Sequence, residues 1–235
     1  MMFDTKEIVI SGSEWKTAPF RFSRMFTLGD GSGGGSATVL HLYDRVDGKA
    51  TVAGFWTDGN GQRYAVVVAD AQYRSGHQLW STVQVDTLLP NYIYAADVLA
   101  AGESGTWNTD TILNNYTATD YPAFNIARNA CTVSVDNKTF ESCLPNVAEL
   151  LMIWLDRAAL DTYDTTLTDY PNNSLSSWNI GGDSSSRCWA SNEYSSGYAW
   201  EYRGKGETGD NQKYRWYWGI LPIIEIPVDE NGEVQ

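Results

Sequence analysis

Charge is scarce in this chain. Only 19% of its 235 residues are Asp, Glu, Lys or Arg, so Ser, Thr, Asn, Gly and Tyr must carry much of the surface. That palette suits faces that bind other surfaces, and extracellular β proteins share it. Basic residues are scarcest: 16 Lys and Arg against 29 Asp and Glu leave a formal net charge of −13. Such a chain repels polyanions, so no nucleic-acid partner is expected. Arg203, Lys205, Lys213 and Arg215 are the local exception and read as a small positive patch.

Histidine is nearly missing, with His41 and His77 alone. Neither sits in a metal-type spacing and no GxSxG elbow exists, so both read as structural. With 29 acids, chance carboxylate pairs are unavoidable, and no spacing selects one for glycoside hydrolysis. "DGNGQ" (58–62) starts like a calcium loop but lacks the later ligands. No catalytic residue, metal or cofactor is therefore expected. Cys131, Cys143 and Cys188 lack CxxC spacing, leaving buried free thiols or one bridge among them as alternatives. No run approaches the roughly 20 apolar residues of a membrane helix, so no membrane insertion is expected. "MMFDTKEIVISGSEW" shows no basic n-region or apolar h-region, which points to the cytosol, another export route or a particle assembled in the cell.

What is present is a core-forming chain, 43% hydrophobic, long enough for one large domain or two small ones. "EIVI" (7–10), "ATVLHLY" (37–43), "KATVAGFW" (49–56) and "RYAVVVA" (63–69) read as strands. Asp47-Gly48 and the 58–61 turn make 37–69 a three-stranded meander. Asn108 or Thr109 caps a short helix with Ile112, Leu113 and Tyr116; Asp120 caps a second, with Pro122 in its first turn and Phe124, Ala127 and Cys131 on one face. Asn146 and Glu149 form a capping box, followed by a buried stripe of Val147, Leu150, Leu151, Trp154, Leu155 and Ala158. Residues 161–183 read as loop, "ILPIIEI" (220–226) as a closing strand and 229–235 as a polar tail. The Gly-rich "GDGSGGGS" (29–36) contains GxGxxG but precedes a strand, so it reads as a linker. It separates an N-terminal arm, 1–36, suited to attachment or oligomerisation, from a main domain at 37–228. The order is α+β.

Residues 187–219 hold four of the ten tryptophans and five of the fourteen tyrosines. The tryptophans read as core that orders an irregular segment, and Tyr, Ser, Asn, Gly and Arg as outward contacts. "NTDTILNNY" and "YPAFNIARNAC" (108–131), "CLPNVAELLMIW" (143–154), "WASNEYSSGYAW" (189–200) and "YRWYWGILPIIEI" (214–226) follow one another in that order. This series resembles a bacterial and phage domain of unknown function with a C-type-lectin-like fold, loosely over 49–226 and well over 108–226.

That family is related to the variable proteins of diversity-generating retroelements, among them phage tropism determinants. The resemblance implies a receptor-binding protein of a phage tail, with a homotrimer as its assembly and a host-surface protein or glycan as its partner. The location it implies is the virion, or alternatively a bacterial surface. Diversified AAC or AAT codons cannot yield Trp, Lys, Glu, Gln or Met, so Trp189, Glu193, Trp200, Trp216 and Trp218 would be scaffold. Within a variable segment at 176–219, the implied ligand contacts are Asn179, Ser184, Ser185, Arg187, Asn192, Ser196, Tyr198, Tyr202, Arg203, Tyr214, Arg215 and Tyr217. Leu144-Pro145-Asn146 lacks the acid of the sugar-binding lectin motif and Trp-Asn-Asp is missing, so no calcium site is implied. The rival readings are a structural decoration of a fibre or capsid and a carbohydrate-active enzyme.

Overall fold

A computed structural model describes residues 8–11, 14–17, 37–176, 187–203 and 208–235. The chain divides into two units, 1–36 and 37–235. In the first, β1 (Ile8–Ser11) pairs antiparallel with β2 (Glu14–Thr17). The second is mixed α+β. Its elements in chain order are β3 (Arg45–Val46), β4 (Ala50–Thr57), β5 (Arg63–Ala69), β6 (Ser75–Gln78), α1 (Ala95–Ala101), α2 (Gly105–Asn115), α3 (Pro122–Ala130), β7 (Thr132–Val135) and β8 (Lys138–Glu141). Then come α4 (Val147–Tyr163), β9 (Cys188–Ser195), β10 (Tyr198–Tyr202), β11 (Thr208–Gln212), β12 (Trp218–Ile220) and β13 (Ile223–Val228).

Two sheets organise this unit. The first runs β13-β5-β4-β3 and is antiparallel throughout. Asp47 and Gly48, both at positive φ (49° and 65°), make the tight β3–β4 turn. At the β4–β5 turn the Asp58 carboxylate accepts the Asn60 and Gln62 N–H groups. The unbroken apolar run of β5 has a simple cause: both faces are covered. Val66 and Val68 enter one core cluster, while Ala65, Val67 and Ala69 enter another with Val133 and Val135 of β7.

The second sheet runs β11-β10-β9-β12-β6. Helix α4 packs against β4 of the first sheet and against β9 and β10 of the second. A Cβ at Gly54 would meet the Met152 sulfur at 2.4 Å, so glycine there lets α4 approach β4. The far face of the second sheet packs Trp189, Ala199 and Trp218, together with Trp80 from the segment after β6, against Ile112 of α2 and Phe124 of α3.

The Asn146–Glu149 capping box is present in full: Asn146 Oδ1 accepts Glu149 N–H (2.8 Å) and Glu149 Oε2 accepts Asn146 N–H (2.7 Å). Other expectations shift. Residues 37–43 make only a bridge, Val39 to Glu233, because Tyr43 turns the chain at φ 68°. Helix α2 begins earlier than expected, capped by Ser104 Oγ on Trp107 N–H (3.0 Å). Asp120 closes a 3-10 turn instead of capping α3, which starts on Pro122. On α4 the buried residues are Val147, Glu149, Leu150, Ile153 and Leu160, while Leu155 is 60% exposed. A helix lying between two sheets buries two sides, so a single stripe misplaces the solvent face. The 220–226 strand splits at Leu221-Pro222 and serves both sheets as β12 and β13. Residues 229–235 fold back, with Val234 buried and its N–H donating to Thr38 O (2.9 Å). The three cysteines are buried free thiols, and burial raises Cys131 to about 11.

One core contact is electrostatically costly. Glu149 on α4 is fully buried near the Glu225 carboxyl of β13, and Oε1 of each has no hydrogen-bond partner among the described residues. Glu225 in turn accepts Thr106 N–H at 2.8 Å. Burial first, then the neighbouring Glu225 charge, hold the Glu149 carboxyl well above the usual range. A raised carboxyl binds its proton more tightly folded than unfolded. The stability it contributes is complete below the ordinary carboxyl pKa and is lost as pH rises through the folded value. Glu149→Gln keeps the cap acceptor and donates an N–H toward Glu225. It should raise stability at neutral and alkaline pH and flatten the decline of Tm as the pH rises, read by calorimetry.

Candidate ligand-binding face

The 187–219 region divides sharply into anchors and surface. Three buried tryptophans tie the ring N–H to a distant carbonyl: Trp189 to Gln78 O (2.8 Å), Trp200 to Tyr92 O (2.9 Å) and, packed against this region, Trp80 to Ala190 O (2.9 Å). The buried Trp218 ring N–H has no hydrogen-bond partner among the described residues. The three bonded rings bury area and also satisfy backbone acceptors, although the region, expected to be irregular, is mostly strand (β9 to β12). Lys213, read from the sequence as part of a surface patch, is instead wholly buried in an ion pair with Glu193. Thr87 also donates to Glu193, through N–H and hydroxyl. Burial pulls the Glu193 carboxyl up and the Lys213 ammonium down, each opposed by the other's charge.

Two expected contact residues face inward. Asn192 is 2% exposed, and its Oδ1 accepts Val147 N–H at 2.9 Å, so it satisfies an open donor at the start of α4. Tyr202 is 6% exposed, its ring 5.2 Å from that of Trp154. The β10 alternation explains the second case: Trp200 and Tyr202 share the face turned to α4, and Glu201 and Arg203 take the other. Trp216 departs in the opposite direction. It is 42% exposed and lies parallel on buried Trp218, with centroids 5.7 Å apart and planes 2° apart.

The outward side is built from charge and aromatic rings. Glu201, fully buried, accepts Arg187 Nη1 and Arg203 Nε on the same oxygen, each at 2.7 Å. Its carboxyl is raised by burial, against the pull of Arg203 and Arg187. Opposite it on β11 is Gly209, where a Cβ would meet the Arg203 guanidinium carbon at 2.2 Å. Glycine is what lets that guanidinium lie across the strand. The Arg187 guanidinium sits 4.9 Å over Trp218, and Arg215 sits 5.8 Å over Trp216. Tyr217 follows at 53% exposure, its carbonyl 3.3 Å from His77 Nδ1. A continuous series thus runs Arg203, Glu201, Arg187, Trp218, Trp216, Arg215.

Of the expected contacts, this series gathers Arg187, Arg203 and Arg215, with Tyr217 beside them. Tyr198 is half-buried, its hydroxyl accepting Gln212 Nε2 (3.1 Å), and Ser196 and Tyr214 are half-buried too. Asn179, Ser184 and Ser185 lie outside the described residues. Sequence reasoning missed Glu201 and the exposure of Trp216; the Trp-Glu-Tyr-Arg alternation was the available signal for the first.

Among the described residues no three His, Cys, Asp or Glu side chains group as a metal site. No described helix is long and apolar enough to cross a membrane. No family model, curated protein or solved structure matches the chain.

Removing one partner of a dry ion pair strands the other. Lys213→Met should therefore destabilise the protein by about 3–5 kcal/mol. Adding Glu193→Gln should recover most of that loss, since no uncompensated charge then remains. Urea unfolding of both single variants and the double variant measures the coupling.

Proposed function

We propose that this chain is a non-enzymatic receptor-recognition protein with a C-type-lectin-like domain, whose C-terminal sheet presents a ligand-binding face diversified by a retroelement. Its partner is a molecule on a host cell surface, and its setting is a phage tail. The observation that carries the reading is the division within 187–219: rings and carboxyls locked inward, with arginines, Trp216 and Tyr217 turned out. The burial of Trp189, Glu193, Trp200 and Trp218 supports it, because adenine-templated diversification cannot produce those residue types and they suit a constant scaffold. The inward Asn192 and Tyr202 narrow the variable contacts to the exposed and half-buried positions. Trp216 belongs to the face as a fixed contact.

Exposed aromatic and Arg side chains on a rigid support are what binding hot spots use. Two measurements test the proposal. Sequencing the segment encoding 176–219 across a population should show substitutions at adenine-templated codons, with the Trp codons constant. Purified protein should bind intact cells of a bacterial panel, and Trp216→Ala with Tyr217→Ala should lower that binding at least about tenfold, at on the order of 1–2 kcal/mol per side chain. The melting temperature should hold, since both rings are exposed. An invariant segment removes the retroelement. Undiminished binding by the double variant removes this face.

A further inference from the structure

The face carries a charge opposite to that of the chain. The protein has a formal net charge of −13. Yet Arg187 and Arg203 share the one carboxylate of Glu201, and Arg215 makes no salt bridge among the described residues. Among the described residues, three guanidinium charges against one carboxylate leave a local charge of +2. Two nearby acids do not cancel it. Glu193 is taken by Lys213 inside the protein. Asp210 lies opposite Trp200 in the β10–β11 register, so its side chain leaves the sheet on the side away from Glu201.

Glu201 also fixes where the cations sit. With 27% and 37% of their side chains exposed, Arg187 and Arg203 are held by a buried anchor at the surface, and Arg203 Nη2 also donates to Asp210 O (3.0 Å). Guanidinium groups fixed in this way pair carboxylates through two parallel hydrogen bonds. Beside them, Trp216 lies parallel to Trp218 with centroids 5.7 Å apart and stays 42% exposed, which presents an apolar ring next to the Arg215 guanidinium. Clefts of about 470 and 300 Å³ lie elsewhere, around Tyr64 and Phe140 and around Lys49 and Tyr73, and no residue of the face lines either.

Resting on the recognition reading above, we propose that the ligand is an acidic polysaccharide carrying sugar carboxylates. The arginines take the carboxylate of one unit, and the Trp216 ring takes the C–H face of a neighbouring pyranose. Charge complementarity selects the anion, and the flat ring selects a sugar over an extended acidic peptide.

The test uses the full chain with defined probes: oligogalacturonate, its methyl ester, alginate oligomers and polysialic acid, followed by calorimetry. At least one acidic probe should bind, with affinity falling as salt rises. For oligogalacturonate the methyl ester should bind at least about tenfold more weakly. Arg215→Gln should weaken binding about fivefold to twentyfold, and Trp216→Ala at least about tenfold, with unchanged Tm. Equal binding of acid and ester, or no binding of any acidic probe, overturns the proposal. Whole-cell assays then separate the two readings. If cell binding needs Trp216 but ignores Arg215→Gln and salt, or falls with protease and not with periodate, the face recognises something other than an acidic glycan. If cell binding ignores Trp216 too, recognition by this face fails as well.

Discussion

A salt bridge shut off from water holds the C-terminal half together. Lys213 Nζ meets Glu193 and lies 3.4 Å from both the Val85 and Ser196 carbonyls. The Lys213 backbone N–H donates to Gly197 O, and its carbonyl accepts Trp80 and Ser81 N–H. One residue therefore joins the 80–87 loop, the β9–β10 turn and the approach to β12. Regular ladders are short here, so buried polar atoms need side-chain partners or the segment would not order. An ammonium supplies three donors at one point, which no apolar residue can replace.

Three buried glutamates show three ways of keeping a carboxyl out of water. Glu149 meets a second carboxyl and holds its proton. Glu193 meets a lysine with no exposure and becomes structural. Glu201 meets two arginines that reach the surface, so its charge is offset twice and the excess faces solvent. The first two arrangements spend their electrostatics inside the fold. Only the third leaves charge where a ligand can use it, and it stands beside the exposed Trp216.

Local signals in the sequence carry far. The Asn146–Glu149 box, Pro122 at the start of α3 and the Asp47-Gly48 and 58–61 turns are short-range chemistry, legible because each acts within a few residues. The α4 stripe was misread because burial depends on how many layers press on a helix. Asn192 was misread for the same reason: its partner, Val147 N–H, is 45 residues away. Lys213 looked like surface charge, since nothing within its own segment announces Glu193 as its counter-ion, 20 positions earlier.

By itself, then, the sequence determined the α+β order, the main turns and caps, and the presence of an aromatic, arginine-bearing region in an otherwise acidic chain. Those properties follow from composition and from spacings of four residues or fewer. Tertiary structure alone decided which aromatic rings are core, which arginines find the Glu201 carboxylate, and that Trp216 lies on Trp218 facing water. Strand register and sheet order set those outcomes, because they bring together groups that no local pattern relates.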